Sequence, residues 1–93
     1  MIEADATGWR LAGPLTIATA TQALAEGEAH WPPSRGIIDL AGLTQVDSAA
    51  LSVLLCWRRR ASAQADSLRV QNMPPALHSL AVLYGVDEFV EPR

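Results

Sequence analysis

Val46-Asp47-Ser48-Ala49-Ala50-Leu51-Ser52-Val53-Leu54-Leu55-Cys56-Trp57 is the stretch on which the reading of this chain turns. It opens with an acid and a hydroxyl, the residue types that start helices, and then runs apolar. Asp47 or Ser48 can accept a hydrogen bond from the free N–H groups of a first turn, and a carboxylate suits the positive end of the helix dipole. At about 3.6 residues per turn, Leu51, Leu54, Leu55, Ala61 and Ala65 share one broad face. Ala49, Val53 and Cys56 fall opposite, with Trp57 on the flank. One apolar stripe suffices for a helix packed on a core. The second apolar side is therefore expected to meet a partner.

Upstream of this helix, Gly36-Ile37-Ile38-Asp39-Leu40 is short, apolar and β-branched, which predicts a strand covered on both faces. Ala41 to Val46 then reads as a loop into the helix, which ends before Asp66-Ser67. Leu68-Arg69-Val70-Gln71 alternates as a strand does. Asn72-Met73-Pro74-Pro75 opens a last helix, where proline is tolerated because its missing N–H would be unpaired anyway. Leu77, Leu80, Ala81 and Tyr84 line one face of it, and Gly85 is its C-cap. The tail from Val86 to Arg93 carries one more extended piece at Phe89-Val90.

At the other end, Trp9-Arg10-Leu11 reads as a strand that Gly13-Pro14 turns into a second near Leu15 to Ile17, a β-hairpin. Thr19-Ala20-Thr21-Gln22 has the capping-box pattern. The helix it opens carries Ala20, Ala23 and Leu24 on one face. Gly27 weakens that helix by about 1 kcal/mol relative to alanine, and Pro32-Pro33 end it. The order β-β-α-β-α-β-α predicts an α/β fold with right-handed crossovers and a sheet parallel at its centre.

Ninety-three residues, 49% of them hydrophobic, make one soluble globular domain. A net charge of -3 argues against binding nucleic acid, which needs clustered positive charge. The single Cys56 forms no internal disulfide. Met1-Ile2-Glu3-Ala4-Asp5 lacks the basic-then-apolar order of a signal peptide, and no apolar run approaches a membrane span. A cytoplasmic protein without direct membrane insertion is expected.

The motifs of nucleotide loops, G-x-x-x-x-G-K-[ST] and G-x-G-x-x-G, are absent. His30 and His78 have no ligand-type residue at metal-binding spacing, so neither a metal nor a cofactor is expected. A lone cysteine in a helix, such as Cys56, is more often a packing residue than a nucleophile. Asp39 and Asp47 flank one loop and can meet at one end of the sheet, but each has a structural task, one ending a strand and the other capping a helix. No catalytic set emerges.

Ser48 has two readings: a cap, or a first-turn hydroxyl placed to carry a phosphate. Arg58-Arg59-Arg60 also has two: a solvated last turn, or the rim of an interface centred on Val53, Cys56 and Trp57.

The strand Gly36 to Leu40, the segment Ala41-Gly42-Leu43-Thr44-Gln45-Val46 and the turn Asp47-Ser48-Ala49-Ala50-Leu51 resemble the STAS domain, the fold of anti-sigma-factor antagonists. The resemblance runs from about Trp9 to Phe89. Leu80-Ala81-Val82-Leu83-Tyr84-Gly85-Val86 and the terminal Glu91-Pro92-Arg93 are most similar to the MlaB subfamily, small cytoplasmic STAS subunits of phospholipid-transport ABC complexes. The resemblance implies a mixed sheet of four to five strands with three helices and no enzymatic activity. It implies docking of the central helix on an MlaF-like ABC ATPase within a complex that includes a permease, peripheral at the inner membrane. Ser48 matches the hydroxyl residue that matters for that docking, and in anti-sigma-factor antagonists the matching serine is phosphorylated. The expected contact surface is Asp47, Ser48, Ala49, Ser52, Val53, Cys56 and Trp57. Competing readings are a phospho-switched anti-sigma-factor antagonist and a STAS module for a small ligand. An exposed apolar patch also leaves room for a homodimer of the isolated protein.

Overall fold

The computed structural model describes residues 1–90. Glu91-Pro92-Arg93, used in the resemblance, lie outside the described residues. β1 (Ile2–Asp5) and β2 (Gly8–Leu15) pair antiparallel, from Ile2 opposite Leu11 to Asp5 opposite Gly8. A hairpin therefore opens the chain, but its turn is at Ala6-Thr7, where the Asp5 carboxylate accepts hydrogen bonds from the amide and the hydroxyl of Thr7.

The expected turn at Gly13-Pro14 is instead part of β2. It lies where β2 pairs parallel with β3 (Ile37–Val46), and the register slips between Arg10 and Ala12 and again between Gly13 and Pro14. Such irregularities accommodate glycine and proline within a strand. By the same pairing, the segment Ala41 to Val46 is strand rather than loop. β4 (Arg69–Gln71) adds parallel to β3, giving the sheet order β1-β2-β3-β4.

The sheet is covered on one face only. Trp9, Leu11, Leu15, Ile38 and Leu40 are buried, while the alternating Arg10, Ala12 and Pro14 are exposed. The expectation that β3 is covered on both faces fails for this reason: Asp39 looks away from the helices and is half-buried.

Against the apolar face pack α1 (Ala20–His30), α2 (Ser48–Ala63) and α3 (Pro75–Leu83), followed by a short α4 (Asp87–Val90). The extended piece expected at Phe89-Val90 is thus helical backbone. The capping box of α1 is not made. Thr19 Oγ1 accepts from the Thr16 amide at 3.0 Å and donates to the Pro14 carbonyl at 2.9 Å, so it closes the preceding turn. Gln22 bonds Glu26 instead of the cap.

Trp9 lies between Trp31 and Trp57, edge-on to both, with centroids 5.8 and 5.2 Å away. Trp57 in turn presses on Gly27 of α1, where an added Cβ would stand 2.6 Å from its Nε1. Gly27 is therefore a packing requirement, not simply a weak point in the helix.

α2 and α3 end in the same way. After α3, the Val86 amide reaches the Ala81 carbonyl and the Gly85 amide that of Val82, with Gly85 at φ +71. After α2, the Asp66 amide reaches Ala61 and the Ala65 amide Ser62, but the left-handed position is held by Ala65 at φ 57. Both are Schellman ends, which favour glycine at that position. Ala65→Gly is expected to stabilise the protein by about 1 kcal/mol, raising Tm by about 4–8 °C. A thermal melt of this variant checks it.

Candidate partner-binding surface

Asp47 organises the start of α2. Its backbone is extended, and its Oδ1 accepts from the Ala49 amide at 2.8 Å, an N-cap bond. Its Oδ2 accepts from the Ile17 amide at 3.0 Å, a residue of the β2–α1 turn. Because Asp47 makes the cap, the hydroxyl of Ser48 is not required for it, and Ser48 stands exposed as the first helical residue.

From there Ser48, Ser52, Cys56 and Arg59 form an exposed row along α2, with Ala49 half-buried beside it. Of the expected surface, Asp47, Ser48, Ala49, Ser52 and Cys56 are thus brought together on or beside the outer side. Val53 and Trp57 are not available there: they are 1% and 3% exposed and belong to the core. The reason is lateral. The sheet covers one side of α2 and α1 covers the flank, so Ala50, Val53 and Trp57 are buried together with Leu51, Leu54 and Ala61. Leu55, expected in the core, is half-buried, and Ala65 lies beyond the helix and is exposed.

Two grooves run beside the outer row. Between α1 and α2 lies a cavity of about 470 Å³, lined by Ile17, Ala20, Leu24, Ser52 and Cys56, with Val53 at its floor. On the other side Leu51, Leu55, Tyr84 and Val86 line one of about 250 Å³. Ile17 is 80% exposed and Tyr84 59%. Neither residue, nor Leu24, falls on the helical wheel of α2, because each comes from a neighbouring element. Tyr84, which the spacing puts on one face of α3 with Leu77, Leu80 and Ala81, is the C-cap residue and is exposed.

The three arginines at the end of α2 separate. Arg58 is half-buried and donates to the Leu68 carbonyl at 3.2 Å, and partial burial holds its pKa below the usual guanidinium value. Arg60 stacks over the Trp31 ring at 4.6 Å and pairs with Glu28. Of the three, only Arg59 is exposed. An interface rim built from the whole run is therefore reduced to one residue.

Asp39 and Asp47 lie towards opposite ends of β3 and form no carboxylate pair. Asp39 accepts from the Asn72 side chain and the Ala41 amide, each at 2.9 Å, and these bonds hold its carboxyl below the usual range, the Asn72 bond foremost. His30 is exposed at the end of α1, and His78 is half-buried in α3. Among the described residues no His, Cys, Asp and Glu cluster could hold a metal, and no helix is long and apolar enough to cross a membrane. What this arrangement offers is a strip of short, uncharged side chains, Ser48, Ala49, Ser52 and Cys56, between two apolar grooves.

A comparison with curated proteins returned no match. A family model described as the MlaB STAS domain matches residues 2–91. The mixed four-stranded sheet with helices on one side is consistent with that fold. The chain belongs to the STAS domain family and is similar to MlaB.

Proposed function

We propose that this chain is a non-catalytic STAS subunit that binds and supports the ATPase of an Mla-type phospholipid-transport ABC complex. STAS domains are in general non-enzymatic. The observation that carries the reading is the outer side of α2. Ser48, Ala49, Ser52 and Cys56 present small groups, while Ile17 and Tyr84 keep apolar surface in water on either side. Exposed apolar borders around a flat, uncharged strip suit a protein partner better than solvent. On this reading the protein sits on the cytoplasmic side of the inner membrane, held there through the ATPase and its permease.

Ser52→Arg places a long cation in the centre of this strip without touching the core. Binding to an MlaF-like ABC ATPase from the same organism is expected to weaken at least tenfold, about 1.4 kcal/mol, with an unchanged thermal melt. Titration calorimetry of both proteins checks this, and wild-type affinity in the variant would discard the surface.

A second reading is an anti-sigma-factor antagonist switched by phosphorylation of Ser48. It is favoured by one observation: Asp47 makes the cap, which leaves the exposed hydroxyl of Ser48 spare. Neighbouring genes for a sigma factor and its kinase, and phosphate on Ser48 after incubation with that kinase, support it. Genes for a permease and a substrate-binding lipoprotein support the first.

A further inference from the structure

We infer that Asp47 is a positioning residue that presents Ile17 at the edge of the partner surface, in addition to capping α2. The consequence for binding rests on the docking role proposed above; the positioning itself is a property of this chain alone.

A helix cap by itself needs only one acceptor, and Ser, Thr, Asn and Asp serve almost equally well. Here two amides from different elements approach two different oxygens of the same carboxylate. Ala49 of α2 donates to Oδ1 at 2.8 Å, and Ile17 of the β2–α1 turn donates to Oδ2 at 3.0 Å. Only a carboxylate offers an acceptor at both places. Asparagine would turn an NH2 group towards one of the two donors. Serine has a single oxygen on a shorter stem.

The rest of the turn is closed by its own threonines. The Thr16 amide bonds Thr19 Oγ1, the Ala18 amide bonds Thr16 Oγ1, and the Thr16 carbonyl accepts from Thr19 and Ala20. The Ile17 amide is the link from this turn to α2. Its side chain, 80% exposed, lines the α1–α2 groove with Leu24 and Cys56. An apolar group held out in water in one place has little ordering left to lose on docking, which is how preorganisation favours binding.

The test is amide hydrogen exchange by NMR on the full chain carrying Asp47→Asn, Asp47→Ser or Asp47→Ala. In the Asn and Ser variants the Ile17 amide is expected to exchange at least tenfold faster, with the Ala49 amide still protected. In the Ala variant both amides are expected to lose protection. Ile17 exchange within twofold of wild type in the Asn and Ser variants overturns the inference. A binding arm with an MlaF-like ABC ATPase from the same organism separates the two claims. Asp47→Asn is expected to weaken binding as much as Ile17→Ala, and the double variant no further. Wild-type affinity in Asp47→Asn with a released Ile17 amide also overturns the inference. If the wild-type protein does not bind the ATPase, the docking role falls, and the exchange data still decide whether Asp47 positions Ile17.

Discussion

Val53→Asp is expected to unfold the protein at room temperature. Val53 is 1% exposed and packs within the core beneath the α1–α2 groove, with no cation among its buried neighbours. An unpaired carboxylate there costs several kcal/mol or forces its own protonation. The whole stability of a domain of this size is about 5–15 kcal/mol, so little or nothing remains. The contrast lies one residue away: Ser52→Asp, on the exposed row, is expected to stay within about 0.5 kcal/mol of wild type. Far-UV circular dichroism and urea denaturation of the pair measure the difference. A folded Val53→Asp with the wild-type midpoint would mean that α1 does not cover this flank of α2. Loss of partner binding in a Val53 variant therefore says nothing about the interface, whereas loss in a Ser52 variant does.

Gly27→Ala is expected to destabilise, against the sign that helix propensity alone dictates. In an open helix alanine gains about 1 kcal/mol over glycine. Here the new Cβ would stand 2.6 Å from Trp57 Nε1 and 2.9 Å from its Cε2. Trp57 has little freedom to yield, because Trp9 meets it edge-on and is itself pinned against Trp31. Overpacking of this kind costs about 1–3 kcal/mol, and the balance is a loss of up to about 2 kcal/mol. Urea titration is expected to show a lower midpoint at an unchanged slope, the mark of altered stability without altered compactness. A raised midpoint would show that α1 swings away from α2 at little cost.

Local features are legible in the chain. Asp47 as a cap, proline at the start of α3 and Gly85 at its end each follow from one or two residues and their backbone chemistry. Features that depend on a neighbouring element are not legible in any one segment. Gly13, Pro14 and Gly42 look like turn residues, yet two register slips let β2 and β3 pair straight through them. The helical wheel for α2 found its inner side but not its covered flank. A wheel describes one helix, and the burial of Val53 and Trp57 is decided by α1 beside it, with Gly27 against Trp57. The same blindness hid Ile17, whose place beside α2 comes from an amide bonded to a carboxylate 30 positions later. The hint in the sequence was slight: an aspartate where serine, threonine or asparagine would have sufficed as a cap.

The gathering of Trp9, Trp31 and Trp57 into one edge-to-face cluster has a practical consequence for spectroscopy. These are all the indoles the chain possesses, so its tryptophan emission comes from a single locus where β2 and α2 meet the residue that follows α1. Excitation of any one ring passes to the others across contacts of 5.2 and 5.8 Å. Red-shifted or dequenched light therefore signals that α1 has separated from α2. A companion molecule without tryptophan, settling on the outer row, leaves this indole emission as it was.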